Sequence, residues 1–214
     1  MGLHKCQVLS FLWEGGYSVV FLQETHMDPV TEDSWRLEWE GRVYFSHLTV
    51  RTAGVATLFS PDLQPKMLRV TEAVPGRLLH LRALMDGLMV NLINVYVLTS
   101  GPEQLHFYQQ ASAFLDTLDP HECLVLGGDF KTTLEEQDRA VPDPHGRPPG
   151  DSRTSLPGGH VTRPPPGQHL DVHLCPGGAH WSRHARLDRI YLSRFHLSRA
   201  HSSNIQLAPF SDHH

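Results

Sequence analysis

The chain has 214 residues, of which 40% are hydrophobic and 19% charged, and its formal net charge is -5. This apolar content supports a folded core and excludes a wholly disordered chain, and the negative charge excludes a generally basic nucleic-acid coat. No apolar run approaches the roughly 20 residues that cross a bilayer, and no signal peptide is recognisable. We therefore expect an intracellular protein, nuclear or cytoplasmic, that does not enter the membrane.

The first half of the chain predicts one helix followed by several strands. Apolar residues share one side of a helix over residues 4–14, which Gly15 and Gly16 end. The β-branched run "YSVVFLQE" predicts a strand that closes on Glu24. Four further apolar runs predict strands, the last two joined by an Asp-Gly hairpin turn, over residues 42–46, 53–60, 77–86 and 87–97.

A second helix is marked by its start. Ser100 is placed as its N-cap, with Pro102 in the first turn and Glu103 three residues after the cap, and apolar residues then recur at helical intervals to residue 118. A strand over residues 123–130 follows directly. This strand, helix and strand order is typical of α/β layers.

The remaining sequence changes character. Residues 141–167 are rich in proline and glycine without an apolar face, which predicts an irregular or disordered insertion. Two short strand-like runs, 185–193 and 203–214, follow it. We interpret residues 1–214 as a single domain.

Acidic residues lie where predicted strands begin or end. Glu24 and Asp129 each close a strand, Asp188 enters one in "RLDRIY", and Asp212 with His213 ends the last. An acid at one strand end is most simply an exposed charge. Several together at one sheet edge would bind a hard cation such as Mg²⁺, and a histidine beside them could contact phosphoryl oxygens.

The segments "FLQETH", "NVYV", "LGGDF", "RLDRIYLS" and "SDHH", in this order, resemble the endonuclease/exonuclease/phosphatase superfamily. The similarity is greatest to the apurinic-endonuclease-like nuclease domain of non-LTR (LINE-type) retrotransposon polyproteins. The resemblance implies an α/β (α+β) fold of the DNase I-like kind, a four-layered sandwich of two mixed β-sheets flanked by helices. It also implies DNA as substrate and Mg²⁺ or Mn²⁺ as cofactor.

The resemblance assigns a role to each polar residue. Glu24 would be the principal metal ligand, with Asp212 near the metal, and Asp129 would orient or deprotonate the attacking water. Tyr96 would contact the scissile phosphate or the leaving oxygen. His213 would donate a hydrogen bond to a phosphoryl oxygen.

Asp188 would hold His213 in orientation by the same resemblance. Its neighbours Arg186 and Arg189 are candidate nucleic-acid contacts, although they could equally be simple ion-pair partners of Asp188.

Lys131 departs from the family pattern, which reads Gly-Asp-Phe-Asn where this chain has "GDFK". A lysine has three donors, no acceptor and a positive charge, so it could repel Mg²⁺ or pair with Asp129. It could instead turn outward and bind nucleic-acid phosphate. We count Lys131 among the catalytic candidates and expect reduced activity.

By the resemblance the chain is also shortened at both ends, because the family's first strand, with its asparagine motif, and the inward part of its last strand have no counterpart here. This favours a degenerate retroelement fragment. The main alternative is a catalytically inactive remnant that retains the fold and weak nucleic-acid binding. RNA or a small phosphate ester as substrate, a polyproline ligand at "RPPPG" and a zinc site at His180 and His184 are further alternatives.

Overall fold

The computed structural model describes residues 2–49, 53–97, 101–131, 172–175 and 188–192. Within these ranges the chain forms three helices and nine strands. The helices are α1 (Gly2–Gly15), α2 (Pro29–Glu38) and α3 (Gly101–Leu115). The strands are β1 (Val19–Gln23), β2 (Val43–Ser46), β3 (Val55–Phe59), β4 (Lys66–Val74), β5 (Leu78–Met85), β6 (Leu88–Tyr96), β7 (Cys123–Asp129), β8 (Val172–Cys175) and β9 (Asp188–Leu192).

The strands form two mixed sheets. The first sheet has the order β2-β3-β1-β8, in which β1 is antiparallel to β3 and parallel to β8. The second sheet has the order β4-β5-β6-β7-β9, in which only the pairing of β6 with β7 is parallel among the described strands. A parallel pair needs a crossover connection, which α3 supplies between β6 and β7.

Apolar side chains pack the two sheets face to face and cover their outer faces with helices. Phe21 and Phe59 of the first sheet share one buried cluster with Leu81, Leu92 and Val125 of the second. The cluster under α1 and α2 includes Leu9, Leu12, Val20, Trp35, Trp39 and Leu58, and the cluster under α3 includes Leu78, Ile93, Phe107, Tyr108 and Ala111. These four layers confirm the predicted fold class.

The structure confirms both predicted helices and the predicted strands that correspond to β1, β2, β3, β5, β6, β7 and β9. Sequence patterns missed β4, because this edge strand is largely exposed and lacks a continuous apolar run. They also missed the four residues of β8 and the helix α2, although the Asp28 side chain marks the start of α2 by accepting from Thr31 N at 2.7 Å. Ser100, the 141–167 insertion and residues 203–214 lie outside the described residues.

Between the sheets one fully buried amide, Asn94 on β6, reaches across to the first sheet. Its Nδ2 donates to the carbonyl oxygens of Leu22 and Ala56 at 3.0 and 2.8 Å, and its Oδ1 accepts from Gln23 Nε2 at 2.8 Å. A buried polar group that makes such bonds fixes one arrangement of the strands, because any other arrangement leaves the group unpaired. Asn94 therefore couples the two sheets.

None of the described helices is long and apolar enough to cross a membrane.

We predict that Asn94→Ala lowers the free energy of unfolding by about 2 to 4 kcal/mol, because it removes three buried hydrogen bonds and leaves the Gln23 amide without its partner. Chemical denaturation measures the change. The matched control is Gln64→Ala, which removes an exposed amide and should change stability by less than about 0.5 kcal/mol. Equal denaturation midpoints for the two variants would contradict the coupling role of Asn94.

Candidate active site

Glu24 is delivered to the rim of the first sheet by β1, all five residues of which are buried. It follows the last strand residue in a left-handed backbone conformation, φ 54°. The chain beyond it is held by Thr25 N donating to Gly54 O at 3.2 Å and His26 N donating to Ala53 O at 3.4 Å. A non-glycine residue with positive φ is held there by its surroundings, so the direction of Glu24 is fixed by the fold.

Tyr96 and Asp129 come from neighbouring strands of the second sheet. They are register partners in the parallel pair of β6 with β7, and Val97 N donates to Asp129 O at 2.9 Å just beyond. The preceding Gly128 has φ 142°, and a Cβ there would lie 1.9 Å from Val95 O. Glycine is therefore required before Asp129, which explains part of the "GGD" motif.

The two sheets meet at a hydrogen bond between side chains. The Tyr96 hydroxyl donates to Glu24 Oε1 at 2.7 Å. The pKa of Tyr96 lies well above its usual range. Burial is the main cause, and the hydrogen bond to Glu24 is the second. Tyr96 therefore remains a protonated donor at neutral pH.

Lys131 lies between the two carboxylates. Its ammonium forms an ion pair with Asp129 Oδ2, and its Nζ is 3.5 Å from Glu24 Oε1. Its backbone N donates to Asp129 Oδ1 at 3.1 Å, and its backbone has a positive φ of 50°. Of the orientations that the sequence left open, the structure has the inward one that pairs with Asp129. We call Glu24, Tyr96, Asp129 and Lys131 the carboxylate site.

The charges of the carboxylate site are strongly coupled. Burial raises the pKa of Asp129, and the contacts with Lys131 oppose this effect. Burial alone would lower the pKa of Lys131, but the contacts with Asp129 and then Glu24 outweigh it, so the pKa lies above its ordinary value. The lysine is therefore a permanent cation at neutral pH, and it stabilises the ionised form of Asp129.

By donor type, the carboxylate site suits a hard cation. Mg²⁺ and Mn²⁺ prefer oxygen ligands, and Glu24 and Asp129 offer carboxylate oxygens close to one ammonium. Among the described residues no group of three His, Cys, Asp or Glu side chains that could hold a metal occurs. Glu24 with Asp129 could hold such a cation once Lys131 moves away from them.

The other predicted site residues are only partly placed. Asp188 is the backbone register partner of Asp129 in the antiparallel pair of β7 with β9, and Arg189 is the partner of Gly128. Arg186, Asp212 and His213 lie outside the described residues. The structure therefore brings together four of the predicted residues and places two more, Asp188 and Arg189, on the neighbouring strand.

Sequence reasoning missed Arg77, which adjoins the carboxylate site. Its guanidinium carbon is 5.5 Å from the ring centroid of Tyr96, and its carbonyl oxygen accepts from Tyr96 N at 2.8 Å. A single arginine in a turn before a strand belongs to no periodic pattern. The signal that could have found it is its place in a turn close to the end of the strand that carries Tyr96.

A two-sheet sandwich with carboxylates and a tyrosine at the ends of its central strands is an arrangement suited to phosphoester chemistry. The sequence pattern of the endonuclease/exonuclease/phosphatase family matches residues 5–213. The chain belongs to this family, as the resemblance of its motifs indicated.

The proteins similar to the chain include one relative and three solved structures. An uncharacterized 149 kDa protein of transposon TX1 from Xenopus laevis is 47% identical over 213 residues, which are 97% of this chain and 16% of that protein. The chain thus spans about a sixth of the length of this relative.

A 3' phosphatase, NExo from Neisseria, solved with a product DNA hairpin, has 19% identity and a TM-score of 0.50 over 64% of this chain and 56% of its own. It shares the fold. The endonuclease domain of the non-LTR retrotransposon TRAS1 has 13% identity and a TM-score of 0.49, covering 68% and 63%. An AP endonuclease from Archaeoglobus fulgidus has 24% identity and a TM-score of 0.49, covering 63% and 55%.

We predict that Lys131→Met raises the pKa of Asp129 further, because burial remains and the opposing ammonium is lost. Carboxyl ¹³C NMR measures this pKa directly. When the pKa of a carboxyl is higher in the folded than in the unfolded state, the protein loses stability as pH rises from the unfolded-state pKa to the folded-state pKa. In the variant this loss of stability should therefore extend to higher pH.

Lys66→Met is the matched control, since Lys66 is exposed on the edge strand β4. It should leave the pKa of Asp129 unchanged. An unchanged pKa in Lys131→Met as well would mean that the ammonium does not act on Asp129.

Proposed function

We propose that the chain is a divalent-cation-dependent phosphodiesterase that cleaves DNA endonucleolytically, with activity reduced by Lys131. The single observation that supports this most is the hydrogen bond from Tyr96 to Glu24 beside Asp129, because it brings a proton donor and two carboxylates from different sheets to one point. The transposon protein and the DNA-bound phosphatase among the similar proteins support DNA as the substrate.

Each residue would meet one demand of phosphodiester hydrolysis. Asp129, with its pKa raised by burial, would accept the proton of the attacking water as the bond from water oxygen to phosphorus forms. Tyr96, held protonated, would donate a hydrogen bond to a phosphoryl or leaving oxygen as the bond to the leaving oxygen breaks. Glu24 would hold Mg²⁺ or Mn²⁺, which when bound supplies charge stabilisation to the phosphoryl oxygens.

The remaining roles follow the family resemblance. His213 would donate to a phosphoryl oxygen with Asp188 as its orienting partner, and Asp212 would lie near the metal. Arg186 and Arg189 would contact the nucleic-acid backbone. These roles belong to the proposal.

Lys131 is the reason to propose reduced activity. Its ammonium pairs with Asp129, the proposed base, and lies near Glu24, the proposed metal ligand. A cation must displace this lysine before it reaches both carboxylates, and the displaced charge repels it. The same observation favours the second candidate function, a catalytically inactive remnant that binds nucleic acid weakly.

Asparagine at position 131 should restore activity for two reasons. It removes the competing charge, and it adopts the left-handed conformation of this position more readily than lysine does. We therefore expect Lys131→Asn to nick DNA at least about tenfold faster than the unaltered chain, which corresponds to about 1.4 kcal/mol in the barrier.

The experiment incubates a supercoiled plasmid and an abasic duplex with the unaltered chain, Lys131→Asn and Glu24→Gln, each with Mg²⁺ or with chelator. Glu24→Gln keeps the shape of the side chain and removes its charge, so nicking that survives this change comes from contamination. Lys66→Asn controls for loss of a lysine at an exposed position and should leave the rate unchanged.

Two results would contradict the proposal in different ways. If neither the unaltered chain nor Lys131→Asn nicks, in samples whose circular dichroism shows a folded protein, the chain is a non-catalytic remnant. If the unaltered chain nicks as fast as Lys131→Asn, the enzyme proposal stands and the inhibitory role of Lys131 is wrong.

A further inference from the structure

A tyrosine of α3, Tyr108, reaches the backbone of the carboxylate site with its hydroxyl. The buried residues of α3 have the i, i+3, i+4, i+7 spacing of one helix face: Gln104, Phe107, Tyr108 and Ala111. From this face the Tyr108 hydroxyl donates to the carbonyl oxygen of Phe130 at 2.9 Å. Phe130 lies between Asp129 and Lys131 in the chain, so α3 contacts the segment that carries two of the four site residues.

Both partners of this hydrogen bond are buried. Tyr108 is 6% exposed and Phe130 is 3% exposed. The Phe130 ring packs in the cluster under α3, with its centroid 5.3 Å from that of the Tyr191 ring. A buried carbonyl oxygen that loses its donor is unfavourable, because water cannot take the place of the donor. The Tyr108 hydroxyl therefore holds the direction of the Phe130 carbonyl.

The peptide group between Phe130 and Lys131 forms a hydrogen bond at each end. Its carbonyl oxygen accepts from Tyr108, and its N–H, which belongs to Lys131, donates to Asp129 Oδ1 at 3.1 Å. A peptide group is planar, so its carbonyl and its N–H cannot turn separately. The hydroxyl that holds the carbonyl thus also holds the N–H that contacts the Asp129 carboxylate.

The peptide group before Phe130 is anchored as well. Its carbonyl oxygen, that of Asp129, accepts from Val97 N at 2.9 Å. The two peptide groups that flank Phe130 are therefore held from different sides, one by the chain after β6 and one by α3. Lys131 follows them with a φ of 50°, a conformation that persists only where the surrounding structure determines it.

We propose that Tyr108 is a positioning residue of the carboxylate site, which acts through the peptide group between Phe130 and Lys131 to orient the Asp129 carboxylate toward the attacking water. This inference rests on the proposed function, which gives Asp129 its role. Tyr108 is buried and its hydroxyl is bound to a backbone carbonyl, so it acts through the backbone and not on DNA. Hydrogen bonds in such a chain strengthen one another, so loss of the first weakens the second.

Amide hydrogen exchange measured by NMR tests the proposal without any substrate. Tyr108→Phe removes one oxygen and keeps the ring. The Lys131 amide should then exchange about tenfold faster relative to the Val97 amide, which corrects for any change in overall stability. Tyr44→Phe is the matched control, because Tyr44 is a partly buried tyrosine of the first sheet whose ring packs on Phe59. It should leave this ratio of exchange rates unchanged.

Nicking kinetics test the same role through the reaction. In the Lys131→Asn background the backbone groups around Phe130 are the same, so Tyr108→Phe should lower kcat by about tenfold and leave KM unchanged. A residue that only stabilised the fold would leave kcat of the folded fraction unaltered, and Tyr44→Phe in the same background should do so.

The proposal is overturned if Tyr108→Phe and Tyr44→Phe give the same ratio of exchange rates, because Tyr108 would then serve packing alone. If Tyr108→Phe does not fold, as judged by circular dichroism, 3-fluorotyrosine in place of Tyr108 carries the test. Its more acidic hydroxyl is a stronger donor, so exchange of the Lys131 amide should slow, and an unchanged rate overturns the proposal.

Failure of the proposed function gives a different result. If no variant nicks DNA while the exchange ratio rises in Tyr108→Phe, the enzymatic proposal is wrong and the action of Tyr108 on the Asp129 carboxylate is supported. If Lys131→Asn nicks DNA and Tyr108→Phe changes neither kcat nor the exchange ratio, the enzyme stands and the positioning role is overturned.

Discussion

The buried amide of Asn94 is the constraint on which the site depends. Asn94 lies two residues before Tyr96 on β6, and its partner Gln23 directly precedes Glu24 on β1. Because its hydrogen bonds to Gln23, Leu22 and Ala56 cross the space between the sheets, they fix how β6 lies against β1 and β3. A shift of one residue would flip every side chain of a strand to the other face, and would separate the Tyr96 hydroxyl from Glu24.

Around this link the backbone places the side chains of the carboxylate site at a cost in strain. Glu24 and Lys131 both have positive φ, and the close approach of Gly128 to Val95 excludes any side chain before Asp129. Such conformations persist only where the surrounding structure determines them, and they are concentrated at functional sites. Glu24 and Lys131 both hold such conformations within the carboxylate site.

In the carboxylate site one ammonium offsets part of the charge of two carboxylates. Two carboxylates held close together at the ends of buried strands repel each other, and burial makes that repulsion more severe. The Lys131 ammonium relieves it by contacting both. The same cation therefore stabilises the ionised carboxylates and would compete with any divalent cation that binds there.

The sequence predicted the scaffold well because its central strands are continuous apolar runs that end in polar motifs. These motifs made Glu24, Tyr96 and Asp129 candidate site residues, and the structure places the three side chains close together. The Tyr96 to Glu24 hydrogen bond could not, because it depends on the packing of two sheets whose strands are far apart in sequence. The inward direction of Lys131 depends on its contacts with Asp129 and Glu24, which come from different sheets. The contact of Arg77 with the Tyr96 ring likewise depends on how the turn before β5 lies against β6.

The central claim is that Glu24 and Asp129 form one cation site whose negative charge Lys131 partly offsets. The most direct measurement is the affinity for Mn²⁺, read from the electron paramagnetic resonance signal of the free ion, for the unaltered chain and for Lys131→Met. Removing the ammonium should tighten Mn²⁺ binding at least about tenfold. An ammonium about 4 Å from the ion would repel it by more than about 1.4 kcal/mol in a partly buried site. Equal affinities for the two proteins would show that Lys131 does not compete for the carboxylates and would contradict the account.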